Sequence, residues 1–193
     1  MEGVGEKRVV EDPVLGHRLS FRRETEPGGG EVLHVEMWVD PGGGVPPHVH
    51  PAMEERFDVL AGRPSFLAGR KWSEAGPGET VVAPPGVRHA YRNNGDEVAH
   101  VICHARPPSS LQGFLEDAAA LGRAGKLTRT GLPKSPSALL QAAVVAHHYR
   151  DMVVLGFPPL PPPAIQRLVI PPLARLGARR GYRAGHFADS APA

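Results

Sequence analysis

Glycine and proline cut the first 107 residues of this 193-residue chain into pieces too short for ordinary helices. Turn clusters stand at Pro27-Gly28-Gly29-Gly30, Asp40-Pro41-Gly42-Gly43-Gly44, Gly62, Gly69, Gly76-Pro77-Gly78, Pro85-Gly86 and Asn94-Gly95-Asp96. Between them lie segments 19–22, 32–39, 56–60, 65–68, 80–83, 89–92 and 98–105, each of strand length. Short apolar pieces separated by turn residues predict an all-β sandwich or barrel. Segment 32–39 shows the alternation best. Leu33, Val35, Met37 and Val39 fall on one face, while His34, Glu36 and Trp38 fall on the other. The aliphatic face is expected to point inward. That leaves His34 and Glu36 on a solvated or subunit-facing surface and sets His34 aside as a ligand.

After Pro107-Pro108 the period changes. Leu111, Phe114, Leu115, Ala118 and Leu121 recur at helical spacing behind Ser110, a candidate N-cap, and the helix is expected to end near Gly122. A second helix is expected from Ala138 to about Leu155, capped by Ser135 or Ser137 and stopped by Gly156 and the proline run at 158–163. A third covers 164–179, interrupted at Pro171-Pro172. The chain therefore divides into a β part, 1–107, and a helical extension, 108–193. Charge follows the same boundary: 12 Lys/Arg against 16 Asp/Glu in the first part, and 10 against 4 in the second.

Composition excludes several classes. At 41% hydrophobic residues the chain can bury a core, and a net charge of +2 with scattered basic residues predicts no nucleic-acid partner. The single cysteine, Cys103, cannot form an internal disulfide, and its strand setting beside Val101 and Ile102 suggests a buried structural thiol. The opening residues lack the apolar core of a signal peptide, and no apolar run reaches about 18 residues, so a cytoplasmic protein is expected. The apolar, proline-broken extension needs a surface to bury against. A homodimer-forming arm is expected first and a cap over the barrel mouth second. Third comes a membrane-surface element within 138–180 that uses Arg167, Arg175, Arg179 and Arg180.

Two blocks carry the chemistry. The first runs Gly42, five residues, His48, one residue, His50, four residues, Glu55, six residues, Gly62. The second runs Gly78, five residues, Pro84-Pro85-Gly86, two residues, His89, three residues, Asn93. Residues two apart on a strand share a face, so His48 and His50 can aim at one point. Glu55 is in phase with the apolar Phe57 and Val59, whereas Glu54 is in phase with Arg56 and Asp58, which selects Glu55 as the inward acid. Three imidazoles and a carboxylate suit one divalent transition metal ion: Fe, Mn, Ni, Cu or Zn. Structural zinc more often takes thiolates.

These blocks resemble both signature motifs of the cupin superfamily, over roughly residues 10–107. The resemblance implies a jelly-roll β-barrel with a central metal held by His48, His50, Glu55 and His89. It also implies a small-molecule substrate. Within that superfamily a mononuclear metal-dependent oxygenase is the favoured expectation, with an isomerase or epimerase, or a non-enzymatic ligand-binding module, as alternatives. Four protein ligands leave two positions open on an octahedral ion. Tyr91, in phase with His89, is a candidate proton donor or barrel filler, and Glu55 is a candidate base. His100 and His104 share a phase that would let one of them reach the interior, though satisfied structural histidines are expected. His147 and His148 are expected to be solvated helix residues.

Overall fold

The computed structural model describes residues 9–156 and 162–185. Four strands come first: β1 (Val9–Asp12), β2 (His17–Thr25), β3 (Glu31–Val39) and β4 (Gly44–Val49). Next are β5 (Glu54–Ala61), β6 (Ser65–Ala68), β7 (Lys71–Glu74), β8 (Thr80–Ala83), β9 (His89–Arg92) and β10 (Ala99–Arg106). The extension supplies α1 (Leu111–Arg123), α2 (Pro136–His148), β11 (Val154–Leu155) and α3 (Pro163–Arg179). Two antiparallel sheets form a jelly roll, one ordered β1-β2-β3-β10-β5-β8 and the other β11-β4-β9-β6-β7.

The core lies between the sheets and is built by alternation. Leu33, Val35, Met37 and Val39 of β3 are buried, as are Phe57 and Val59 of β5 and Val101, Cys103 and Ala105 of β10. Phe66 is among the largest fully buried side chains and packs against Phe57 at 5.3 Å between ring centres. Truncating such a ring to alanine costs about 3–5 kcal/mol.

The extension departs from expectation in three places. The second helix ends at His148, not near Leu155. Buried Tyr149 caps it and donates a hydrogen bond to Asp117 Oδ2 at 3.0 Å. The chain then buries Met152 and Val153 and pairs Val154 with Val49 and Leu155 with His48. Docking of β-branched valines on an open sheet edge outweighs the helical propensity of the preceding residues. Gly156 makes this approach possible, since a Cβ there would sit 2.0 Å from the Pro47 carbonyl oxygen. Much of the proline run expected to stop the helix lies at 157–161, outside the described residues.

In the second departure, α3 continues through Pro171 and Pro172. The carbonyls that lose their helical partners belong to Arg167 and Leu168, which are exposed, so water can satisfy them. In the third, Ser110 precedes α1 but its side chain makes no cap bond, whereas Ser135 accepts from Ala138 N at 3.1 Å and does cap α2. Helices α1 and α2 line one cavity together with barrel residues, and Arg123 donates to the Glu11 carbonyl at 2.6 Å. Among the described residues no helix is long and apolar enough to cross a membrane.

Candidate metal centre

Three strands and two turns deliver four side chains to one point. His48 lies on β4, opposite His89 at the start of β9. His50 follows the end of β4, and Glu55 is the second residue of β5. Gly86, at φ 77°, makes the turn before β9, and its amide donates to the His50 carbonyl at 2.8 Å. That bond ties the two motif blocks together. One potential ligand atom from each of His48, His50, Glu55 and His89 lies within 4.8 Å of all the others. Glu54 stays half-buried outside this group, as strand phase required.

The protons of the imidazoles are assigned by their partners. His48 Nδ1 meets the Pro46 carbonyl at 2.9 Å, His50 Nδ1 the Met152 carbonyl at 2.9 Å, and His89 Nδ1 the Val87 carbonyl at 2.8 Å. A carbonyl only accepts, so each Nδ1 carries the hydrogen and each Nε2 turns a lone pair inward. Such outer contacts fix ring orientation in metal sites. Glu55 faces these lone pairs, with Oε2 2.9 Å from His89 Nε2 and Oε1 3.6 Å from His50 Nε2. Acceptors this close require a shared proton or a cation between them. The donor set therefore fits a divalent transition metal.

Electrostatics agree. Burial pushes His48 down to about 3, aided by His89. Burial also lowers His50, although Glu55 and the Met152 carbonyl resist it. Burial alone would raise Glu55, but the hydrogen bond from His89 and the surrounding imidazoles hold it at about 2. His89 is pulled toward neutrality by burial, yet its bond with Glu55 prevails and raises its pKa. Glu55 is thus an anion, and His48 and His50 are neutral ligands near neutral pH. Without a metal, His89 is the group that takes the proton.

A cavity of about 210 Å³ opens beside the cluster, lined by His48, His50 and Glu55. Its other walls come from the barrel interior and from α1 and α2. Tyr91 lines it too, with its hydroxyl 2.9 Å from His17 Nδ1. His17 Nε2 lies 3.9 Å from Asp12 Oδ2. That separation is too long for a hydrogen bond, so Nε2 makes none, and the His17–Tyr91 pair shares one hydrogen between Nδ1 and the hydroxyl oxygen. Burial lowers the His17 pKa, keeping the ring neutral. His17 and Asp12 were not singled out from sequence. The available signal was phase, because His17 stands two residues before inward Leu19. Cys103 is buried and lines the same cavity, its thiol pushed well up by burial and then by Glu55.

The remaining histidines stay away from this site. His100 stacks on Trp38 with 5.0 Å between ring centres and contacts Glu36 at 3.1 Å. His104 contacts Asp58 at 2.9 Å and His34 at 2.8 Å, on the outer face of the six-stranded sheet. The inward positions of β10 go to Val101, Cys103 and Ala105, so neither His100 nor His104 reaches the interior. His148 is exposed and His147 half-buried on α2.

Residues 35–105 match the family model described as a cupin domain. The barrel of this chain belongs to the cupin superfamily. No curated protein matches the chain significantly. An RmlC-like cupin from Shewanella frigidimarina is 17% identical over 58% of this chain and 94% of its own, with a TM-score of 0.48. The polyketide cyclase RemF from Streptomyces resistomycificus is 26% identical over 56% of this chain and 82% of its own, with a TM-score of 0.45. KdgF from a Halomonas species is 18% identical over 55% of this chain and 90% of its own, with a TM-score of 0.45.

Proposed function

We propose that this protein is a mononuclear metal-dependent enzyme acting on a small organic substrate, with oxygen chemistry favoured over isomerisation. The observation that carries the reading is the proton assignment: three Nδ1 hydrogens are held by backbone carbonyls, so three lone pairs and one carboxylate converge beside a cavity. His48, His50, Glu55 and His89 would hold the ion. Bound there, a redox-capable ion such as Fe(II) would supply Lewis acidity and access to dioxygen.

The rest of the chemistry falls to the chain. The apolar walls exclude water and strengthen every polar interaction near the cluster. Glu55 is an anion that can accept a hydrogen bond from a substrate hydroxyl beside it, although a carboxyl held at about 2 is too weak a base to take a proton from carbon. Tyr91 presents its hydroxyl to the cavity paired with His17, and burial holds the phenol protonated, well above its ordinary pKa, so it can orient a substrate by hydrogen bonding. Both are assigned these roles on position.

Metal analysis of the purified chain, alone and as His48→Ala, tests the reading. About one ion per wild-type chain and a loss of most of it in the variant are expected. Undiminished metal in the variant would sink the four-ligand assignment. Oxygen uptake by the iron-loaded protein across aromatic and diketone compounds then tests the reaction class. Turnover without uptake would point to isomerisation, and silence with retained binding to a ligand-binding module.

A further inference from the structure

We propose that the cavity takes a ligand with a compact hydrocarbon body of roughly eight to ten carbons and one oxygen-donor end, and that α1 and α2 select it. The donor end rests on the metal reading above; the hydrocarbon body does not.

The size follows from volume. A hydrophobic cavity of about 150 Å³ holds benzene, and this one measures about 210 Å³. The polarity follows from the walls. Phe114 and Leu115 of α1 face the cavity with Ala142 and Val145 of α2, opposite Leu19 and Val35 of the barrel. The polar side chains on the wall outside the cluster are few and most hold hydrogen bonds within the protein, Asp12 Oδ2 lying 3.9 Å from His17 Nε2. Asp12 Oδ1 accepts from the amides of Val14 and Leu15 at 2.9 and 3.0 Å. The Tyr91 hydroxyl is held by His17, and Thr130 pairs with Thr128 at 3.0 Å. The Cys103 thiol is a weak hydrogen-bonding group. A sugar or amino acid would bury several polar atoms here without partners, at about 1–3 kcal/mol each. A hydrocarbon body meets no such penalty, and the one place rich in donor atoms is the histidine–glutamate cluster.

The selecting surface is helical. Barrel positions beside the cluster are constrained by the core and by the ligands. Ala142 is a small wall residue and Phe114 a large one, and both belong to helices rather than to the strands and turns that carry the cluster.

The test titrates the full chain with 2-naphthol, followed by the fluorescence of the naphthol, with glucose as the polar competitor. Wild-type protein should bind 2-naphthol, and a hundredfold excess of glucose should not displace it. Ala142→Phe should weaken binding at least tenfold with metal content unchanged. Phe114→Ala should shift preference at least threefold toward the three-ring 2-anthrol, and it carries the test if Ala142→Phe folds poorly by circular dichroism. Displacement by glucose, or no change in either variant, would overturn the inference. Metal content on the same samples keeps the two readings apart. Wild-type chain that takes up no metal when offered Fe(II) or Zn(II), yet binds 2-naphthol, supports the cavity and overturns the metal reading. Metal-loaded chain that ignores 2-naphthol overturns the cavity inference alone.

Discussion

The six-stranded sheet separates three histidines inside the barrel from three on its outer face, and among the described residues only the inner three converge with a carboxylate on one point. Inside, His48, His50 and His89 give their Nδ1 hydrogens to main-chain carbonyls and leave their lone pairs to converge. Outside, His34 contacts Glu24 at 2.9 Å, His104 contacts Asp58 at 2.9 Å and His100 contacts Glu36 at 3.1 Å. There the ring nitrogens are spent on carboxylates and on each other. Residue type is nearly the same in both clusters. What differs is which atom satisfies the hydrogen, and that is set by the backbone on the inner side and by flexible acids on the outer side.

The comparison can be broken most sharply at the inner carboxylate. Glu55→Ala should lower metal affinity at least a hundredfold, while Glu54→Ala should leave it unchanged; metal analysis after dialysis distinguishes them. A smaller effect is expected from Gly156→Val, which forces β11 away from Pro47 and removes the Met152 carbonyl from His50. Loss of such an outer contact typically costs 10–100-fold in metal affinity, readable by competition with a chelator of known affinity.

Acid should act next, on the metal-free protein. His48 at about 3 lies below its unfolded value of 6.5, and Glu55 at about 2 lies below 4.5. The unfolded chain then binds more protons, so stability present above those unfolded values is lost as pH falls, first from 6.5 toward 3 and then from 4.5 toward 2. His89 is raised, so its contribution has the opposite sign, complete below 6.5 and lost as pH rises through its folded value. The urea midpoint should fall on acidification, and His48→Ala should flatten the first limb. The smallest effect belongs to the outer cluster. His104→Ala should change stability by no more than about 1 kcal/mol and leave metal content at the wild-type level, by urea melt and metal analysis.

Sequence alone carried the barrel and the four converging side chains because both depend on a period of two and on turn residues. Phase alone separated Glu55 from Glu54 and set His34 outside. It could not show that Met152 anchors His50, because a main-chain carbonyl 102 residues away leaves no mark in residue type. The extension was harder for a related reason. Residues 149–155 follow a helical run with no Gly or Pro before Gly156, and the open strand edge on β4 turns part of them into β11. His17 precedes the apolar pattern that begins at Leu19, although β2 itself begins two residues earlier.

The pairing of Val154 and Leu155 with β4 ties occupancy of the centre to the docking of a distant segment. Thermodynamic reciprocity requires that if docking steadies His50 for an ion, the ion steadies the docking by the same free energy. Filling the centre should therefore slow hydrogen exchange at the amides of the β11 strand. Docking of this segment and loading of the centre would then be two readouts of one equilibrium.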